Sequence, residues 1–175
     1  MKRFLLVFVL CFTYISIYSQ GVSLPKGYRS VELGMSFDDV ENVLKKEYIF
    51  GYRGERDVSL LPTENRILIE TEGSSFLDRC WFQFYDNTLF TIIINFNTEK
   101  MDYYSLFSTL QKKYGEPNSL SPEKTIWENS TVRISLERPV SIKYIDLEVF
   151  NKLQNQSRID ESTMEKLRQR VLEDL

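Results

Sequence analysis

Apolar residues at three- and four-residue spacing mark two amphipathic helices in the chain. The first is predicted over residues 37–48, where Ser36 and Asp39 form a capping-box start that meets the free amides of the first turn. The second is predicted to begin after Asp102 as its N-cap and to end at Gly115. The apolar positions are Phe37, Val40, Val43, Leu44 and Tyr48 in the first stripe, and Tyr103, Leu106, Phe107, Leu110 and Tyr114 in the second.

Each helix precedes segments with the two-residue alternation and the β-branched and aromatic content of strands. Asp86-Asn87-Thr88 joins two of them as a hairpin. Residues 51–65, which carry glycines, charges and Pro62, are predicted to form a long loop. The predicted strands are 67–71, 80–85 and 89–96 after the first helix, and 125–128, 131–137 and 142–149 after the second.

The order of a helix followed by three strands occurs twice, which predicts a tandem repeat. Superposing the helices places Val40 on Leu106 and Leu44 on Leu110. We therefore expect an α+β fold in which two helix-plus-three-strand units form an antiparallel sheet with the helices on one face. The alternative is that two amphipathic helices and their hairpins match by composition alone. The predicted segments are a leader over 1–19, the units over 20–98 and 99–152, and a C-terminal helix over 153–175.

The N-terminus has the pattern of a secretory leader. Lys2-Arg3 is followed by an apolar run over residues 4–18, and Ser19 before Gln20 offers a small residue at the cut. A membrane anchor is the alternative, but the run is shorter than the roughly 20 residues that span a bilayer. A lipoprotein would need Cys11 as its acceptor, and the bulky residue before that cysteine argues against it. We expect an exported protein of the periplasm or envelope, with no membrane segment after cleavage.

The C-terminal segment contains a second capping box, Ser162-Thr163-Met164-Glu165, which predicts the start of a charged amphipathic helix. Leu167 and Val171 share one side of that helix with Met164. This helix could pack on the body of the protein or contact a partner.

Composition narrows the chemistry that the chain can perform. It contains no histidine, which removes the commonest general base and the commonest transition-metal ligand, so no metal or cofactor is expected. A formal net charge of −3 disfavours nucleic acid as a partner. Once the leader is cut, Cys80 is the remaining cysteine, and its apolar setting predicts a buried, unreactive thiol. Asp38 and Asp39 point in different directions at a helix start and make a poor acid-base pair.

Short motifs resemble the superfamily that contains the outer-membrane-assembly lipoprotein BamE and the tandem β-lactamase inhibitor protein. Leu33-Gly34-Met35-Ser36 with Asp39-Val40 and Leu44 is similar to its helix-opening signature, and Gly115-Glu116-Pro117 is similar to the motif that closes such helices. The resemblance covers about residues 28–150 and implies helices on one face of an antiparallel sheet, with the other face or its loops binding proteins. The first helix lacks the closing proline.

The alternation within the central hairpin predicts which side chains remain available. Phe90, Ile92, Ile94 and Phe96 are expected in the core with Cys80, Phe82 and Phe84. The opposite face would be partly apolar and suited to a protein partner, unless the C-terminal helix or the 51–65 loop covers it. Arg53 and Arg56 in that loop are further candidates for contact. The predicted partner-binding residues of the face are Trp81, Gln83, Tyr85, Leu89 and Ile93.

These observations predict an exported envelope module that binds a protein and performs no catalysis. The alternatives are a carrier of a small ligand or lipid, which requires an enclosed apolar cavity, and a carboxylate-based enzyme, which requires a cleft with perturbed acids. The sequence does not determine the partner or the oligomeric state.

Overall fold

A computed structural model describes residues 23–61 and 65–173, and within them the fold is α+β. The predicted leader over 1–19 lies outside the described residues. The helices are α1 (Phe37–Lys46), α2 (Tyr103–Tyr114) and α3 (Leu147–Glu173). The strands are β1 (Gly27–Tyr28), β2 (Val31–Glu32), β3 (Val58–Leu61), β4 (Arg66–Glu72), β5 (Leu77–Tyr85), β6 (Thr88–Phe96), β7 (Ser119–Leu120), β8 (Lys124–Glu128), β9 (Val132–Glu137) and β10 (Ser141–Asp146).

Strands β3 to β10 form one antiparallel sheet in the order β3-β4-β5-β6-β10-β9-β8-β7, while β1 and β2 pair separately. The strands that follow α1 make one half of the sheet and those that follow α2 make the other, joined where β6 pairs with β10. Each half has one strand more than predicted. The prediction of a loop over 51–65 was wrong at its centre, because Gly54–Asp57 forms a 3₁₀ turn and β3 then pairs with β4.

The predicted start of α1 is confirmed. The Ser36 hydroxyl accepts a hydrogen bond from the Asp39 amide at 3.2 Å and donates one to the Asp39 carboxylate at 2.7 Å. Val40 and Leu44 are buried against the sheet. The prediction for Tyr48 was wrong: α1 ends earlier, a 3₁₀ turn follows, and that side chain is 87% exposed.

Helix α2 also begins and ends as predicted. The Asp102 carboxylate accepts a hydrogen bond from the Ser105 amide at 2.9 Å, and Gly115 ends the helix with a φ of +78°. The indole of Trp127 donates to the Gly115 carbonyl at 2.9 Å and fixes the end of the helix on β8. Leu110, on the inner side of α2, is buried.

The core lies between one face of the sheet and helices α1 and α2, and the predicted alternation of the hairpin is confirmed over most of its length. Cys80, Phe82, Phe84, Ile92, Ile94 and Phe96 all belong to the core cluster. The prediction for Leu89 was wrong. The register of β5 and β6 shifts between Gln83 and Phe84, so that Leu89 pairs with Phe84 and is fully buried in the core. Phe90, at the same irregularity, is buried outside this cluster.

Helix α3 begins well before the predicted C-terminal helix. The prediction of a strand to residue 149 and the boundary at 153 were wrong, because the Asp146 carboxylate accepts hydrogen bonds from the amides of Glu148 and Val149 and starts the helix there. The Ser162 capping box lies inside it. Among the described residues, no helix is both long enough and apolar enough to cross a membrane.

Candidate functional site

The sheet face opposite the core, here called the open face, carries partly exposed side chains from both halves of the sheet. Paired residues of neighbouring strands point to the same side, so the strand register defines a row across the face. This row runs Glu70, Trp81, Ile93, Lys143 and Ser135 from β4 to β9. The sequence predicted two members of the row and missed the others, because they come from strands whose neighbours only the sheet order reveals.

Three of the predicted binding residues lie together in one shallow depression of about 520 Å³ on the open face, namely Trp81, Gln83 and Ile93. All three are partly exposed. Leu68 extends the apolar floor. The polar and charged lining residues are Asn95, Glu137, Arg138, Ser141 and Lys143.

Two ion pairs lie beside this floor. The Arg79 guanidinium lies 5.9 Å from the centre of the Trp81 ring and forms an ion pair with Glu70 at 3.1 Å. Across the depression, the Lys143 ammonium lies 2.6 Å from the Glu137 carboxylate. An apolar centre with a polar rim is the usual anatomy of a protein interface.

Tyr85 lies at the end of the open face where α3 begins. The Lys152 ammonium sits 5.2 Å from the centre of its ring, and Leu153 and Gln156 of α3 line a cavity with it. The C-terminal helix therefore covers this end, as one alternative predicted. Trp81 and Ile93 do not line that cavity.

The structure does not bring the loop arginines to the depression. Arg53 holds its own loop closed, because its Nη2 lies 2.7 Å from the Asp57 carboxylate and its backbone amide donates to the same carboxylate at 2.8 Å. Its Nη1 also lies 3.2 Å from Glu72. Arg56 is exposed on the same loop. Neither lines the depression that holds Trp81.

The Cys80 thiol lies on the core side of the sheet and not on the open face. Burial raises the pKa of the Cys80 thiol to about 12, and the side chain is fully buried in the core. Within the described ranges 23–61 and 65–173, no cluster of three or more histidine, cysteine or acidic side chains could hold a metal ion. The arrangement can bind by contact through an apolar patch with paired charges at its rim.

Comparison with known proteins places the chain in a family. Neither the curated proteins nor the solved structures contain a significant match. The family model described as the TP0088 domain matches residues 26–156, which include both halves of the sheet and the first turns of α3. The chain therefore belongs to the TP0088 domain family.

Proposed function

We propose that this protein is an exported binding module of the periplasm or cell envelope that contacts a protein partner through the open face and performs no catalysis. One observation carries the proposal: Trp81 and Ile93 remain partly exposed in a depression although α3 covers the neighbouring end of the same face. Aromatic side chains in such positions supply large contact area at low entropic cost.

The fold does not need these side chains for its core. Phe82 and Ile92, their neighbours on the same strands, are fully buried on the opposite face and pack beneath the helices. Leaving a tryptophan at the surface costs solubility without improving the core, so a partner that covers it gives the residue a reason to be there.

The export part of the proposal rests on the leader pattern of residues 1–19. Mass spectrometry of the native N-terminus tests it. We expect a mature chain that begins at or near Gln20. An intact Met1 or a lipid on Cys11 would contradict it.

We infer further that the two halves of the sheet are repeats of one unit. Each consists of a helix followed by four strands, and the strand order of the second half mirrors that of the first about the junction of β6 with β10. This arrangement supports the resemblance to the superfamily of BamE and the β-lactamase inhibitor protein, which stays a prediction.

Affinity capture from native envelope extract tests the binding proposal, with the full mature chain as bait. Trp81→Ala should weaken capture by about 2 kcal/mol, roughly 30-fold, as loss of an aromatic anchor does. Tyr48→Ala is the matched control, because Tyr48 is 87% exposed but lies outside the depression. Equal capture by wild type and Trp81→Ala would refute the proposal, as would equal losses in both variants.

A further inference from the structure

A second depression, here called the α2 groove, lies between the start of α2 and the turn that joins β7 to β8. Its volume is about 690 Å³. Tyr104 and Leu120, two of its lining residues, are 75% and 67% exposed. Phe107 contributes a third apolar surface, and Arg138 and Asp102 are the charged residues of the lining. None of these residues was singled out for binding by the sequence.

The guanidinium of Arg138 is held in a fixed position within this groove. It stacks 4.4 Å from the centre of the Tyr103 ring, and its Nε donates a hydrogen bond to the Pro122 carbonyl at 2.8 Å. Tyr103 is itself fixed, since its hydroxyl lies 2.8 Å from that of Thr125. A guanidinium ordered in this way loses little conformational freedom when it binds a carboxylate through both Nη groups.

The charged side chains of the groove are one anion and one cation, and only the cation has hydrogen-bonding groups left for a ligand. The Asp102 carboxylate is already used, because it accepts hydrogen bonds from the amide and the hydroxyl of Ser105 at 2.9 and 2.6 Å. Arg138 forms no ion pair with any residue in the described part of the chain, and its Nη groups donate to no protein acceptor there. The groove thus combines one available cation with three apolar side chains.

The backbone beside the groove favours a peptide over a lipid. Strand β7, which contains Leu120, is the last strand of the sheet, and no other strand in the described part of the chain pairs with its outer edge. An extended peptide can hydrogen-bond to such an edge, whereas an acyl chain cannot. The edge is short, so any such pairing covers few residues.

We propose that the α2 groove binds an extended segment of the partner in which an acidic side chain is flanked by apolar ones. The carboxylate pairs with Arg138, and the apolar side chains contact Phe107 and Leu120. Arg138 lines both this groove and the open-face depression, so a chain that occupies both depressions continues past Arg138. The carboxylate that pairs with Arg138 therefore belongs to a side chain and not to a chain terminus. This inference rests on the proposed function in that both depressions serve one partner.

The test uses synthetic pentapeptides and the mature chain, observed by ¹⁵N-¹H NMR. The first peptide is acetyl-Thr-Val-Asp-Phe-Thr-amide, and the second replaces its aspartate by asparagine. The third carries the asparagine sequence with a free C-terminal carboxylate. We expect saturable shifts at Leu120 and Tyr104 with the first peptide. Binding of the second should be at least about tenfold weaker, since it lacks the charge-assisted hydrogen bonds to Arg138.

Variants separate this groove from the open face. Arg138→Gln should weaken the binding of the aspartate peptide by about tenfold or more and leave the weaker binding of the asparagine peptide unchanged. Leu120→Ser should weaken the binding of both peptides. Because this variant leaves the stacked guanidinium in place, it tests the groove even if Arg138→Gln disturbs the turn. Tyr48→Ala should leave peptide affinity within about twofold, because Tyr48 lines neither this groove nor the open-face depression.

Several outcomes would overturn the inference. Equal affinity for the aspartate and asparagine peptides would show that Arg138 does not select an acid. Binding of the third peptide alone would make the groove a site for C-terminal carboxylates. Shifts confined to other surfaces, or no binding at millimolar peptide, would show that the groove does not bind a peptide. If the aspartate peptide binds as expected while Trp81→Ala captures the partner normally, the proposed function of the open face fails and the groove stands.

Discussion

Replacing Trp127 by alanine should destabilise the fold strongly, whereas replacing Trp81 should not. The two tryptophans of the chain lie on opposite faces of the sheet and differ in burial. Trp127 is 1% exposed, its ring centre lies 6.2 Å from that of Phe107 and 6.3 Å from that of Tyr114, and its indole bonds the Gly115 carbonyl. Trp81 is partly exposed on the open face.

The magnitude follows from these contacts. Truncation of a buried tryptophan to alanine costs about 3–5 kcal/mol, because the transfer free energy of the ring is lost and a cavity remains. The indole hydrogen bond accounts for about 1 kcal/mol of this, and Trp127→Phe, which removes that bond together with part of the ring, should cost less than Trp127→Ala. Since domains are stable by only about 5–15 kcal/mol, the alanine change removes a large share.

Urea unfolding followed by far-UV circular dichroism measures the effect without relying on tryptophan fluorescence. For a slope near 2 kcal/mol/M, a loss of 4 kcal/mol lowers the midpoint by about 2 M. Trp81→Ala is the matched control and should lower it by less than about 0.5 M. A Trp127→Ala midpoint no lower than that of Trp81→Ala would refute the assignment of core and open face.

Three further predictions concern other parts of the fold. Cys80 should resist a thiol reagent in the native protein and react in urea, because burial raises its pKa to about 12; rapid native labelling would contradict its burial. The hydrogen bond from the Ser105 hydroxyl lowers the pKa of Asp102, so its contribution to stability is present above about pH 4 and is lost as the pH falls further. The loss of urea midpoint between pH 7 and pH 3 should therefore be smaller in Asp102→Asn, and equal losses would rule out the cap. Arg53→Ala should increase amide exchange in the 54–57 turn, because it removes the partner of the buried Asp57 carboxylate. Arg56→Ala should not, and equal exchange in both variants would contradict the role of Arg53 in closing the loop.

Local signals predicted the elements whose cause is local. Ser36 and Asp102 cap helices through residues three positions away, and the sequence contains both partners of each hydrogen bond. The face of Phe82 and Ile92 follows from strand alternation. These features could be predicted because no distant contact changes them.

Features that depend on distant contacts were missed. Leu89 lies in the core and not on the open face, because a register shift against β5 turns its side chain inward. Its amide donates a hydrogen bond to the carbonyl of Met35, which is distant in sequence. Residues 58–61 form a strand because they pair with β4. The charged, glycine-bearing sequence beside them predicted a loop. The members of the open-face depression from β10 and its turn, such as Lys143 and Arg138, follow only from the sheet order.

Site-specific photo-crosslinking in the native host tests the central claim, that the open face contacts the partner, most directly. The crosslinking amino acid p-benzoylphenylalanine is placed at Gln83 in the depression, at Tyr48 on an exposed turn, and at Arg56 on the loop. We predict one discrete protein adduct from position 83 that disappears when Trp81→Ala is added, and no such adduct from position 48 or 56. An adduct from position 56 or 48 with none from position 83 would contradict the account.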